Sequence, residues 1–137
     1  MTLVVDASTA VAWLFVNERT DIPQQVLRRV AVEGAVVPSL WRLEVANVLR
    51  SAVMRKRCDE KYAARCLQRL DRLQIATDQE TDLHAWGRTR QLSNKYNLSL
   101  YDAAYLELAI RRDGMLATQD NELAAAATKA GIKTAFA

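Results

Sequence analysis

Hydrophobic positions along this chain fall into two patterns. Short continuous apolar runs, Leu3-Val4-Val5, Ala35-Val36-Val37 and Met115-Leu116-Ala117, have the length of strands buried on both faces. Between them, apolar residues recur every three or four positions, the spacing of helices with one buried side. A first helix is expected from a cap at Ser8 or Thr9 to about Phe15. A second should run from Pro23, which fits a first helical position, to about Val32, with Gly34 closing it. Ser39 is expected to cap a long helix from Leu40 to about Lys56, and Asp59 another that reaches about Leu73. A further strand is expected within Leu73–Thr77. Glu80–Tyr96 reads as one helix. Ser99 should cap Leu100–Arg112, with Gly114 beyond it. Asn121–Ala130 is an alanine-rich helix ended by Gly131, and Ile132–Phe136 is the last expected strand.

Strands that alternate with helices predict an α/β fold of three layers, a central parallel sheet flanked by helices. In such sheets a ligand site lies beyond the carboxyl ends of the strands. Two expected strands end beside an aspartate: Asp6 follows Val5, and Asp120 lies three residues after Ala117.

Length and composition narrow the class. The 137 residues suit a single domain spanning 1–137. Half the residues are hydrophobic and 26% are charged, ordinary values for a globular protein. The N-terminus shows no basic run followed by an apolar segment and a cleavage site, and no apolar stretch approaches a membrane span of ~20 residues. A cytoplasmic protein with no membrane association is expected. The only cysteines are Cys58 and Cys66 and the only histidine is His84. Helix between the two cysteines would separate their Cα atoms by ~12 Å, too far for a disulfide. These three residues have no zinc-ligand spacing, and both thiols read as packing residues. No G-x-S-x-G motif is present. The four glycines, Gly34, Gly87, Gly114 and Gly131, form neither a phosphate loop nor a dinucleotide fingerprint.

The net charge is +3, and fourteen of the nineteen basic residues are arginine. Arg50, Arg55, Lys56, Arg57, Lys61, Arg65, Arg69 and Arg72 crowd the middle of the chain. That run is either a solvated helix face or an electrostatic footprint for a polyanion. Four acids stand out against it. Glu44 has Leu40, Trp41, Asn47 and Val48 as helical neighbours, so it points inward or sits at the edge of an apolar stripe paired with an arginine. Asp102 follows Ser99 at capping-box spacing. Asp6 and Asp120 could each cap a helix. As a set, however, all four lie at strand ends or in the opening turns of helices. Carboxylate oxygens suit Mg²⁺ or Mn²⁺, which can activate water and neutralise a phosphodiester. Setting those four aside leaves twelve acids against nineteen bases, a basic body around an acidic hole.

Four segments in order, Val4-Val5-Asp6-Ala7-Ser8, Pro38-Ser39-Leu40-Trp41-Arg42-Leu43-Glu44-Val45-Ala46-Asn47-Val48-Leu49, Leu98-Ser99-Leu100-Tyr101-Asp102-Ala103-Ala104-Tyr105-Leu106-Glu107-Leu108-Ala109 and Leu116-Ala117-Thr118-Gln119-Asp120, resemble PIN-domain toxins of the VapC type over nearly the whole chain. The resemblance implies a PIN-like sheet of about five parallel strands. It also implies a Mg²⁺- or Mn²⁺-dependent endoribonuclease acting on RNA, a cognate antitoxin and a homodimer. Asp6, Glu44, Asp102 and Asp120 match the family's catalytic and metal-holding acids, with Glu122 as the rival for the fourth place. Ser8 and Thr118 match hydroxyl positions that orient acids or water. Apolar Trp13, Leu14 and Phe15 suggest surface for the dimer. The alternatives are a non-catalytic RNA- or protein-binding module of the same fold, and a phosphotransfer or dehalogenase-type hydrolase. The latter wants a second aspartate at position 8, where this chain has serine.

Overall fold

Five short strands, β1 (Leu3–Val5), β2 (Ala35–Val37), β3 (Ile75–Thr77), β4 (Met115–Ala117) and β5 (Lys133–Thr134), pair in the order β3-β2-β1-β4-β5. All neighbours are parallel. The computed structural model describes residues 1–15 and 21–135. Its eight helices among those residues are α1 (Ala7–Leu14), α2 (Asp21–Glu33), α3 (Trp41–Met54), α4 (Glu60–Asp71), α5 (Thr81–His84), α6 (Arg88–Tyr96), α7 (Leu100–Arg111) and α8 (Asn121–Lys129).

The sheet order fixes where a site can form. The chain runs outward from β1 through β2 to β3, then crosses to β4 on the other side of β1. That reversal opens a crevice beyond the carboxyl ends of β1 and β4. Val5 pairs with Ala117, so the next residues, Asp6 and Thr118, emerge side by side. Val4, Val5, Leu116 and Ala117 are essentially without exposure, as expected of strands covered on both faces. Glycine sits where the backbones crowd. A Cβ on Gly114 would lie 2.6 Å from the Thr2 carbonyl oxygen, so any side chain there would force β1 and β4 apart.

Several local expectations change. α1 is capped by Asp6, whose side chain accepts from the Thr9 N–H, so Ser8 and Thr9 lie inside the helix. α2 holds Pro23 as its third residue. No side chain caps α3: the N-cap position is Leu40, and the Ser39 N–H donates to the Thr81 hydroxyl instead. α3 stops at Met54, because Lys56 takes a left-handed φ of 61°. The single helix expected over Glu80–Tyr96 is two, α5 and α6, parted around Gly87, a residue that costs a helix interior ~1 kcal/mol. Asp59, Ser99 and Asp120 do cap α4, α7 and α8. The last strand ends at Thr134, and Phe136 lies outside the described residues. Trp13, Leu14 and Phe15 are core, at 4%, 4% and 7% exposure, and supply no apolar surface for a second copy. α1 packs on α2 and α3, and the Trp13 indole N–H donates to the Pro23 carbonyl at 2.8 Å. Cys66 is buried, Cys58 half-buried, and both are free thiols.

Candidate active site

Asp6 ends β1 and is 4% exposed. It is held from two sides. One carboxylate oxygen, Oδ1, accepts from the Ser8 hydroxyl at 2.7 Å and from the Thr9 N–H at 3.0 Å. The other, Oδ2, accepts from the Thr118 hydroxyl in the neighbouring strand's extension. Both hydroxyls also receive backbone hydrogen bonds: Ser8 Oγ from the Gln119 N–H at 2.9 Å, and Thr118 Oγ1 from the Asp120 N–H at 3.0 Å. Ser8 and Thr118 therefore clamp the Asp6 carboxylate to the loop that carries Asp120. Burial pushes the Asp6 pKa up, against the pull of these donors.

Glu44 stands in the first turn of α3 and is half-buried. Its Oε1 accepts from the hydroxyl of Tyr105, a residue of α7 that is 1% exposed. The arginine partner that one reading of the sequence allowed is not found among the described residues. Burial raises the Glu44 pKa, and the charges of Asp102 and Asp6 raise it further. Asp102, in the first turn of α7, behaves alike: burial raises its pKa first, then the charges of Asp120 and Asp6. Its backbone N–H donates to the Ser99 hydroxyl at 3.1 Å, so Ser99 caps the helix at Asp102 while the Asp102 carboxylate lies within reach of the other acids' charge. Asp120 is half-buried and points one oxygen at its own helix N-terminus, accepting from the Glu122 and Leu123 N–H groups at 2.8 and 3.0 Å. Glu122 also lies near enough for its charge to raise Asp102.

The four acids thus share one electrostatic neighbourhood with no compensating cation among the described residues. Tyr105 belongs to the site and was not assigned a role from sequence. The available signal was its position three residues after Asp102, on the same side of α7.

The donor set is carboxylate and hydroxyl oxygen throughout, which suits a hard divalent cation. As placed, no three His, Cys, Asp or Glu side chains among the described residues gather closely enough to hold an ion. Glu44 turns to Tyr105, and Asp120 to the N-terminus of α8. Mutual repulsion among carboxylates favours that spread.

Two further buried acids escaped the sequence reading. Asp78, just after β3, is 3% exposed and Glu107 on α7 is 3% exposed. Arg111 grips both. Its terminal nitrogens reach Asp78 at 3.0 and 2.7 Å, and its Nε and a terminal nitrogen reach Glu107 at 2.7 and 3.0 Å. The Thr81 hydroxyl adds a bond to Asp78 at 3.0 Å. The Arg111 guanidinium holds the Asp78 carboxyl below the usual carboxylate range.

Comparison with known proteins follows the same lines. The family model described as PIN domain matches residues 3–129. Among curated proteins none matches. Among solved structures, PAE2754 from Pyrobaculum aerophilum is 24% identical, with a TM-score of 0.69 over 99% of this chain and 92% of that one. FitAcB from Neisseria gonorrhoeae is 12% identical, with a TM-score of 0.67 over 97% and 96%. VapBC2 from Rickettsia felis, bound to a DNA fragment from their promoter, is 16% identical, with a TM-score of 0.66 over 98% and 97%. At these identities the likeness is one of fold.

Proposed function

The chain belongs to the PIN-domain family, and from that premise we propose that it is a Mg²⁺- or Mn²⁺-dependent endoribonuclease, the toxin of a toxin–antitoxin pair. The observation that carries this reading is the acid group itself. Asp6, Glu44 and Asp102 lie beyond the carboxyl edge of the sheet within reach of one another's charge, and all three are pushed toward higher pKa. A fold keeps uncompensated buried charge of this kind when something else uses it.

In this reading Asp6, Glu44, Asp102 and Asp120 hold the cation. When bound, it would activate a water and neutralise charge on the phosphodiester. The protein's own work is positioning. Ser8 and Thr118 keep the Asp6 carboxylate in one orientation and tie it to the Asp120 loop. Tyr105 keeps Glu44 from turning outward. The surrounding surplus of arginine attracts the RNA. An antitoxin would silence the site by presenting a basic side chain, arginine being the best geometric match to carboxylates. The homodimer is proposed on the family likeness, with exposed Leu83 and Trp86 as available apolar surface. A monomer mass by light scattering at tens of micromolar would contradict it.

The test is cleavage of RNA by the purified chain. We expect cleavage with Mg²⁺ or Mn²⁺, none in excess chelator, and a loss of at least about 100-fold in Asp6→Asn, the scale of removing one charge-stabilising group. Expression without a partner should arrest growth. Undiminished cleavage by Asp6→Asn, or full activity in chelator, would overturn the reading.

A further inference from the structure

One face of α3 leads away from the acids. Glu44, Asn47, Val48, Ser51 and Arg55 follow at steps of three and four residues, so they share a side of the helix. Glu44 to Arg55 spans about 16 Å along the axis. This side is open: Asn47 and Arg55 are exposed, Val48 and Ser51 half-buried. It is also concave, with a depression of about 250 Å³ lined by Asn47, Val48, Ser51, Ala52, Arg55 and Arg57. A second depression of about 450 Å³ is lined by Phe15, Arg57, Cys58, Asp59, Tyr62 and Arg65. Arg57 walls both. Its guanidinium lies over the Phe15 ring, 4.6 Å from the centroid, and is therefore presented in a set plane.

The turn between α3 and α4 is costly in a telling way. The Arg57 N–H bonds the Ala52 carbonyl at 2.8 Å and the Lys56 N–H bonds the Val53 carbonyl at 3.0 Å, with Lys56 left-handed at φ 61°. This closing motif favours glycine at the left-handed place, yet the chain has lysine between two arginines. Beyond it, Lys61, Arg65, Arg69 and Arg72 recur at four- and three-residue spacing with no acid three or four positions from any of them. Like charges so placed oppose helix stability, while the helix's own acids, Glu60 and Asp71, sit on another side.

We propose that this face is the RNA track: the strand runs from the acids past Asn47 and Ser51, and its phosphates rest on Arg55, Lys56, Arg57 and Arg65. The inference rests on the ribonuclease reading and adds where the substrate lies. RNA fits better than an acidic protein partner because the track starts at Glu44 and widens into depressions bordered by arginine.

The test is fluorescence anisotropy of the whole chain with a short labelled oligouridylate, in chelator. The double variant Arg55→Gln/Arg57→Gln keeps both side-chain stems. It should bind about tenfold more weakly, and its salt slope should fall by roughly 1.4, at ~0.7 per lost phosphate contact. The charge-matched Arg88→Gln/Arg90→Gln on α6 should stay within about twofold of wild type, as sites off the track contribute only diffuse charge. Lys56→Gly should melt higher than wild type yet bind RNA less well. Cleavage by wild type together with equal losses in the two double variants would overturn the track and leave the ribonuclease reading standing. Absence of both binding and cleavage in wild type would overturn both.

Discussion

Asp6 and Asp78 each follow the last residue of a strand, and each is almost completely buried, at 4% and 3% exposure. Their surroundings differ in one respect. Asp78 meets the two terminal nitrogens of Arg111, whereas Asp6 meets hydroxyls and a backbone N–H, with other carboxylates beyond. The consequence is opposite titration: Arg111 holds Asp78 low, and burial drives Asp6 high. Two acids of the same type, at equivalent ends of parallel strands, thus do different jobs. Asp78 and Glu107 tie β3 to α7 through one guanidinium. Asp6, Glu44 and Asp102 have no such cation among the described residues; burial raises all three, and the charges of neighbouring acids raise Glu44 and Asp102 further.

The sharpest way to break this comparison is Arg111→Ala. It strands two buried carboxylates, and loss of one partner of a buried pair costs about 3–5 kcal/mol. Urea unfolding should show that loss, and a change below about 1 kcal/mol, the scale of an exposed pair, would mean the Arg111 group is not structural. Smaller and opposite in sign is Asp102→Asn. The metal-free variant should be as stable at neutral pH as wild type or more so, because a charge among like charges is removed. Its advantage should depend on pH. Groups with raised folded pKa, here Asp6, Glu44 and Asp102, stabilise fully below the ordinary carboxylate range, and that contribution is lost as pH rises through their folded values. The gain from Asp102→Asn should therefore fade on acidification. Asp78, with its lowered pKa, contributes above its ordinary value and loses that contribution as pH falls through the lowered one. Thermal melts across pH check both signs; an Asp102→Asn protein clearly less stable than wild type at neutral pH would make that residue a helix cap alone. Smallest is the cation's own effect on wild type, about 1.4 kcal/mol at ten times its dissociation constant. A melting temperature indifferent to Mg²⁺ and Mn²⁺ would remove the cation from the account.

The contrast also explains what could be read from sequence. The candidate acids stood out in the sequence because each has a locally marked place, after an apolar strand or in the opening turn of a helix, where α/β sheets build sites. The Asp78–Arg111 group did not. Its partners are 33 residues apart, and nothing in helical or strand periodicity joins them. Tyr105 and Glu44, 61 residues apart, were hidden for the same reason, although Tyr105 stood within a quoted motif. Of the two cap readings offered for the first helix, Asp6 and not Ser8 or Thr9 holds, through a local bond from the Thr9 N–H; α3 begins one residue later than Ser39 would set it, with Leu40 at the N-cap position. Trp13–Phe15 looked like free apolar surface because a helix does not announce how many neighbours will cover it. α2 and α3 do so here.

The central claim is that the unpaired acids, and not the Arg-bound ones, form a cation site. Calorimetric titration of Mn²⁺ into the metal-free chain tests it most directly, with wild type, Asp6→Asn and Glu107→Gln compared under the same conditions. We expect saturable binding in wild type and in Glu107→Gln, and binding weakened at least about tenfold in Asp6→Asn, the loss of about 1.4 kcal/mol or more that one carboxylate ligand implies. Equal binding by wild type and Asp6→Asn, or loss on Glu107→Gln instead, would contradict it.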